Sequence, residues 1–440
     1  MKQNKVRLMA SVLGISVLLS ACGNQSGEVS SSSTTNEVDS TERVSIDFWY
    51  GLGSVAGETM EEIIKEFNES QENVTVKGVQ QADYSETWQK VQASLAAQNA
   101  PAVFIAQSGT VNAYGGDEGV LEPLDEYLST EGFNEDDLLD VFTKNNEIDG
   151  QTYAVPAYGT TQIMYFNQEV FDEAGIDPTE AFSSWENLAS ASKEIKEKTA
   201  ATDGHMIMWG ADNLADLALS NGGSFLSEDG KKATINQPEW VEAWEFARTQ
   251  LHEDENMGII SGGQGWEYWY KTIDQVMTGN AGSYTGSSGD RGDLDFSKID
   301  ARKQPGLNGH EAKPVAGGLN MAIPKITEQE EKDAAFEWIT YFTSAEVQAK
   351  WSQTIGYVPV RESTVDVPEY KQFLEENPYA NIPFEQSLTA SPVFIDPTGG
   401  KINDALTIAA DKVELENISA KEALDEANQV AQKELDKINN

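Results

Sequence analysis

The side chains best suited to touch a small molecule gather at glycine-punctuated positions. "FWYGLGSVAG" sets Trp49 and Tyr50 ahead of a glycine run, and "AQSGT" sets Gln107 and Ser108 beside Gly109. "GSYTGSSG" (282–289) carries Ser287 and Ser288, "AGG" (316–318) carries Gly317 and Gly318, and "GYVPV" holds Tyr357 beside Pro359. Aromatic faces cover the C–H side of a sugar ring, while amides and carboxylates pair with adjacent hydroxyls. A mostly apolar wall with a few placed polar groups makes a small-molecule site. These residues therefore fit a neutral polyol. Packing is the better explanation of any single tryptophan, Trp209 included, whereas Trp49-Tyr50 at a strand end before glycines points to ligand contact, and Trp266 and Trp269 of "GWEYWY" stay open between the two roles.

Covalent chemistry has little to work with. His205, His252 and His310 are far apart in sequence, and none has zinc-ligand spacing. No GxSxG elbow and no GxxxxGK[ST] phosphate loop occurs. With 73 acidic residues some carboxylate pair always looks like a glycosidase pair, so a solvated surface is the default. The "RGD" at 291–293 leaves adhesion as an alternative, and Asp290, Asp293 and Asp295 lack the EF-hand spacing. Neither an enzyme, a cofactor nor a metal is expected.

The elements that must hold these positions read as α/β. "VSIDFW" alternates Val44, Ile46 and Phe48 as a strand does. Met60, Ile63, Ile64 and Phe67 follow at helical spacing. "VTVKGV" (74–79) is a second strand, Trp88, Val91 and Leu95 mark a second helix, and "PAVFIA" (101–106) is a strand buried on both faces. This alternation predicts a doubly wound unit with a parallel sheet. Asp149-Gly150 predicts a hairpin turn and "IMYFN" (163–167) a strand of a second unit. Ser183 with Glu186, and Thr343 with Glu346, predict capping boxes. Asn236 and Pro238 open a helix through Trp240 and Trp244, and the chain beyond Tyr357 reads as mainly helical. In such sheets ligands bind past the carboxyl ends of strands.

The composition is that of a globular chain, 39% hydrophobic and 23% charged, with a formal net charge of −43. That charge excludes nucleic acid as a partner, because the phosphate backbone would be repelled. It equally opposes adsorption on anionic lipid. A strongly anionic ligand would need a local cationic pocket.

Cys22 is the only cysteine. Lys2, Lys5 and Arg7 precede an apolar run from Leu8 to Leu19. That run is shorter than the roughly 20 residues a spanning helix needs and has the build of a secretory h-region. "LSAC" (19–22) resembles the lipobox of bacterial lipoproteins. The resemblance implies a signal peptide over 1–21, cleavage before Cys22 and a diacylglycerol on its thiol, two chains being what stable anchoring takes. Residues 22–43, rich in Ser, Thr, Asn and Glu, read as the lipidated cysteine and a flexible linker.

In order along the chain, "FWYG", "NAPAVFIAQSG", "DGQTYAVPAYGTTQIMYFNQEVF", "GGLNMAIP" and "FTSAEVQAKWSQTIGYVPVRE" resemble segments of the bacterial extracellular solute-binding proteins (family 1) of carbohydrate-uptake ABC transporters. The nearest resemblance is to the subgroup that binds glycerol phosphate and its diesters. It implies a two-lobed, periplasmic-binding-protein-like α/β fold (type II), each lobe a sheet flanked by helices, with the ligand cleft between lobes. The N-terminal lobe would be 44–158 plus 311–356 and the C-terminal lobe 159–310 plus 357–440, with crossings near Tyr158, Glu311 and Gly356. It also implies that Tyr84, Gln107, Gly159 or Thr160, Ser287, Ser288, Gly317, Gly318 and Tyr357 lie near the ligand. Two positions depart from the subgroup. Gln107 stands where it has a glutamate that grips glycerol hydroxyls, and Asn403 where it has a phosphate-gripping arginine, with Lys401 the one neighbouring cation. Its second-lobe tryptophan has no firm match here, and Trp209 and Asp212 are the nearby candidates for a ligand contact. Lacking the arginine, a phosphate loses its bidentate partner, so the expected ligand is a neutral sugar or oligosaccharide, with glycerol phosphate or a glycerophosphodiester as the alternative. The expected partners are permease subunits of an ABC importer, reached by a monomer tethered through Cys22 to the outer face of a Gram-positive cell membrane.

Overall fold

Strand β1 (Val44–Tyr50) turns Ile46, Phe48 and Tyr50 to one side and its intervening residues to the other, the period of two that a sheet imposes. It pairs in parallel with β2 (Val74–Gln80) and with β3 (Val103–Gln107). The helix Ser54–Ser70 lays Met60, Ile63, Ile64 and Phe67 on that sheet. The helix Tyr84–Ala96 covers the other face with Val91, its N-terminus closed by Asp83 accepting the Glu86 N–H. These elements belong to the computed structural model, which describes residues 43–130, 132–263 and 267–439. The signal peptide, Cys22, residues 22–42 of the linker and Trp266 lie outside the described residues. Among the described residues no helix is long and apolar enough to cross a membrane.

After the small hairpin β4 (Glu147–Ile148) and β5 (Gln151–Thr152), turned by Asp149 and Gly150 at positive φ, comes the longest strand, β6 (Val155–Asn167). It is shared. Its first half pairs with the later strand β11 (Val315–Ala322), which also runs antiparallel to β3. Its second half lies between β9 (Ala281–Ser287) and β10 (Ile299–Arg302), both antiparallel to it. Strands β7 (Asp203–Met208) and β8 (Met257–Ile260) extend the second lobe in parallel. The order β2-β1-β3-β11-β6-β9-β7-β8 thus runs unbroken through two lobes. A two-residue strand, β12 (Ser391–Pro392), adds to the start of β11.

The lobes have separate cores. Phe48, Tyr50, Trp338 and Trp351 centre the first, and Trp185, Trp240, Trp244 and the helix pair Lys401–Glu414 and Ala420–Ile438 centre the second. Val358 and Val360 pack in the first core. Gly159 and Val358 exchange backbone hydrogen bonds of 2.9 and 2.8 Å, so the chain after Gly356 runs against β6 where β6 passes between lobes. A Cβ on Gly159 would stand 2.1 Å from the Phe142 ring, which is why a side chain is missing there.

Two local readings shift by one residue. The caps are Ser184 and Ser344, which accept from the Asn187 and Val347 N–H groups. Ser183 and Thr343 instead bond back to the Glu180 and Ile339 carbonyls, closing the preceding turns. Glu186 receives the Asn308 N–H, tying a distant loop to its helix. The glycine-punctuated stretches 282–287 and 316–318 fall within strands β9 and β11; their glycines allow close approach, Gly318 to Phe142 and Gly317 to Val393.

Candidate functional site

Between the lobes lies a cleft of two arms. The larger, about 730 Å³, opens onto the first lobe and the smaller, about 430 Å³, onto the second. Thr160, Gly317, Val393, Phe394 and Asn403 border both arms, so the two share a wall.

The first-lobe wall is where β3 runs into the helix Ser108–Tyr114. Gln107, Thr110 and Asn112 line it, and Gln107 and Asn112 are exposed to the cleft. Ser108 lines it too but is buried, its Oγ accepting from Asn320 Nδ2 at 3.2 Å. Tyr84 closes one end, its hydroxyl 3.1 Å from that of Tyr158. Burial pushes the Tyr84 and Tyr158 phenols up, so both stay neutral donors and acceptors.

The second-lobe wall is built by the helix Ala211–Leu219 and the segment 393–407. Asp212 stands in the first turn of that helix, open to the cleft yet surrounded by protein, and desolvation holds its carboxyl above the usual range. Asp216, one turn on, is 2% exposed. It accepts the Val315 N–H at 2.8 Å and Gln304 Nε2–H at 2.7 Å, and burial raises its pKa to about 7. It therefore fastens the entry of β11 to the second lobe. Phe225 and Phe394 stack with centroids 4.2 Å apart and rings parallel, giving this arm an aromatic wall. Asp396 caps the helix Lys401–Glu414, accepting the Ile402 and Asn403 N–H groups at 2.8 and 3.0 Å. A helix N-terminus is a ready anion site, and here an internal carboxylate already fills it.

Of the residues named from sequence, Tyr84, Gln107, Ser108, Thr160, Asp212, Gly317, Gly318 and Asn403 come together on the cleft. Ser287 and Ser288 stand behind Thr160, with hydroxyls 3.1 and 3.3 Å from its Oγ1. The others are placed elsewhere, which corrects the reading that put them on the ligand. Tyr50 is wholly buried in the first core with its hydroxyl on Glu61, because the strand period turns it inward. Trp49 faces the opposite side and packs beside Val91 and Phe104. Gly159 is filled against by Phe142. Tyr357 lies on Tyr158 with centroids 5.1 Å apart, behind Tyr84. Trp209 donates to Asp411 Oδ1 at 2.8 Å. Arg291 of the "RGD" tripeptide turns onto the Phe373 ring and the Gln353 carbonyl.

Sequence reasoning missed Phe225, Phe394, Asp216 and Asp396. The signal for Phe394 and Asp396 was present in "SPVFIDPTGG" (391–400), three apolar residues before a turn-rich stretch that opens a helix. For Asp216 it was a carboxylate between Leu214 and Leu217 on a helix's apolar face.

The model of the bacterial extracellular solute-binding protein family matches residues 62–376. The sn-glycerol-3-phosphate-binding periplasmic protein UgpB of Rhizobium meliloti is 28% identical over 366 residues, covering 79% of this chain and 82% of that one. Among solved structures, UgpB of Mycobacterium tuberculosis in complex with glycerophosphocholine superposes with a TM-score of 0.77 at 23% identity, over 90% of this chain and 99% of that one. The cyclic alpha-maltosyl-1,6-maltose binding protein of Arthrobacter globiformis does so with a TM-score of 0.76 at 21% identity, over 90% and 100%. Such likenesses establish the two-lobed fold, each lobe a sheet flanked by helices. By its family match and its fold, this chain belongs to the bacterial extracellular solute-binding proteins.

Proposed function

We propose that this chain is the ligand-capturing lipoprotein of an ABC importer, and that its cleft takes a sugar or oligosaccharide rather than a bare phosphate ester. One observation carries the choice of ligand. Among the described residues that line the two arms there is no lysine, arginine or histidine, whereas three aspartates reach it. A phosphate dianion there would meet carboxylates and no charged partner. Lys401 is exposed and pairs with Asp404 at 2.9 Å. Hydroxyl groups, by contrast, find Gln107, Thr110, Asn112, Thr160 and Asn403, with the Phe225–Phe394 pair as a ring platform.

The lobes divide as 44–158 with 311–356 and 159–310 with 357–440, save that residues 358–361 pack back onto the first lobe, and they close about the three crossings. Ligand that touches both walls favours the closed form, because closure can only come from a difference in affinity between the two states. The closed form delivers the ligand to membrane permease subunits, while acylated Cys22 keeps the monomer at the outer face of the membrane. A second reading, capture of glycerol phosphate or a glycerophosphodiester, is favoured by the relatives that bind such compounds.

Thermal unfolding of the purified protein against mono- and oligosaccharides, glycerol phosphate and glycerophosphocholine separates the two. A ligand at about 100 times its Kd adds roughly 2.7 kcal/mol. Stabilisation by a saccharide and none by glycerol phosphate is expected; stabilisation by glycerol phosphate alone overturns the sugar reading. Cys22→Ser is expected to release the protein from the membrane fraction into the medium.

A further inference from the structure

We infer that the second-lobe arm of the cleft takes a cationic nitrogen of the ligand, an ammonium or quaternary ammonium group set against Asp212, so that the favoured ligand class is an amine-bearing saccharide. This inference rests on the proposed sugar reading for the rest of the ligand, which the first-lobe arm would hold.

Asp212 is open to the cleft and makes no hydrogen bond or ion pair with any described residue. Close by, Glu414 is 1% exposed. Its Oε2 accepts the Gly210 N–H at 3.1 Å, while its Oε1 is buried with no partner among the described residues. Asp411, one turn earlier, takes the Trp209 Nε1–H. Burial pushes the Glu414 carboxyl well up, and the charges of Asp411 and Asp212 push it further. A buried acid with an orphan oxygen, beside two more acids and no counter-charge, is electrostatically incomplete.

The cations of the neighbouring helix do not complete it. Lys401 is held by Asp404 and Lys412 by Glu426. Nor do the acids form a metal site: among the described residues no three His, Cys, Asp or Glu side chains are grouped to hold an ion. An organic cation needs no such coordination. Its charge is spread over N–H or N–CH₃ groups, which one or two carboxylates and nearby aromatic faces satisfy. The faces are present, in the Phe225–Phe394 stack on the arm and in the Trp209–Tyr268 pair at 5.1 Å, where burial first and the charge of Asp212 second push the Tyr268 phenol up. The bland reading, that Asp212 merely answers its helix's N-terminal dipole, accounts for about half a charge and leaves Glu414 without a role.

Calorimetric titration of the full chain with matched saccharides tests this. Cellotetraose and the fully deacetylated glucosamine tetramer differ only in the 2-hydroxyl or 2-ammonium group; glucose with glucosamine, and choline alone, complete the set. The amine-bearing member is expected to bind about tenfold or more tightly. The near-isosteric Asp212→Asn, with its melting temperature checked, is expected to cut that preference to about threefold, the two members of each pair being compared within the variant. Glu414→Gln should reduce the preference by less. A neutral saccharide that binds as well as its amine, or a preference that survives Asp212→Asn, overturns the inference and leaves the sugar reading standing. Choline binding that Asp212→Asn abolishes, with no saccharide bound, keeps the cationic subsite and overturns the sugar reading. Binding of none of these probes counts against both.

Discussion

The two lobes bury opposite charges in opposite ways. The first lobe buries cations and answers them. Arg361, 6% exposed, donates to the Thr343 and Asn134 carbonyls, stands 3.5 Å from Asp137 and lies over the Phe133 ring. Lys332 holds Glu122 at 2.9 Å. The second lobe buries acids and a histidine with no countercharge. Asp216 has two neutral donors, Asp290 has Trp269 Nε1 and the Tyr284 hydroxyl, and His205 sits between Ser283 and Thr285. A paired buried cation is a fixed feature, stable over the whole working pH range. An unpaired buried acid is a poised one, its charge decided by pH or by whatever enters the cleft. The first lobe is therefore the rigid frame of the molecule, and the second carries its electrostatic response.

Arg361→Ala should break the frame hardest. Removing it leaves two carbonyls and Asp137 without their cation, and breaking a buried pair costs about 3–5 kcal/mol. Urea unfolding followed by circular dichroism should show a loss in that range. A loss below about 1 kcal/mol would mean that water replaces the guanidinium freely and that the contrast between the lobes is wrong.

The next effect belongs to the second lobe. Burial raises Asp290 and Asp216 to about 7, against 3.8 when exposed. Between those values the folded chain holds protons that the unfolded chain has released, so these acids contribute stability below about pH 4 that is lost as pH rises through 7. His205 acts in the opposite sense below about pH 6.5, since burial lowers it to about 3 and only the unfolded chain takes up its proton. Asp290→Asn isolates one acid, because the amide can still accept from Trp269 and donate to the Tyr284 oxygen. Wild type minus variant stability should become more favourable by roughly 2–4 kcal/mol as pH falls from 8 to 4. A pH-independent difference would show Asp290 to be ionised throughout.

Much of the frame was legible beforehand and much of the response was not, for a physical reason. "VSIDFW" and "PAVFIA" declare their strands because burial on one or both faces writes a short-range apolar pattern. Cleft residues from β3 and β11, such as Gln107 and Gly317, could be found because they sit where strands end or glycines allow close approach. Tyr50 misled, since an aromatic before glycines looks the same whether the strand period turns it to core or to cleft. Glu414 could not be found, because its burial depends on residues about two hundred positions away, and the apolar neighbours that hint at Asp216 do not reveal its partner Val315 about a hundred positions on. The shifted caps at Ser184 and Ser344 teach the same lesson at short range: of two adjacent hydroxyl residues, one closes the old helix and the other opens the new one.

Phe394→Ala should cost ligand affinity about tenfold, about 1.4 kcal/mol, by removing the member of the aromatic stack that borders both arms. If affinity for every saccharide is unchanged, the ligand does not use that wall, and the two arms are functionally separate.

The smallest effect sharpens the contrast most. Gln107 is an exposed, neutral amide on the first-lobe wall. Replacing it by Ala removes one neutral hydrogen bond to a hydroxyl, worth about 0.5–1.5 kcal/mol, or a few-fold in Kd. Because no full charge is involved, that loss should be the same at 20 mM and 500 mM salt. An interaction with Asp212 across the cleft should weaken as the Debye length shrinks from roughly 20 Å to about 4 Å. Titrations at the two salt concentrations on Gln107→Ala and Asp212→Asn therefore separate a wall that reads shape from one that reads charge. If Gln107→Ala proved the salt-sensitive one, the division of labour would be reversed, with the charged end of the ligand lying on the first lobe.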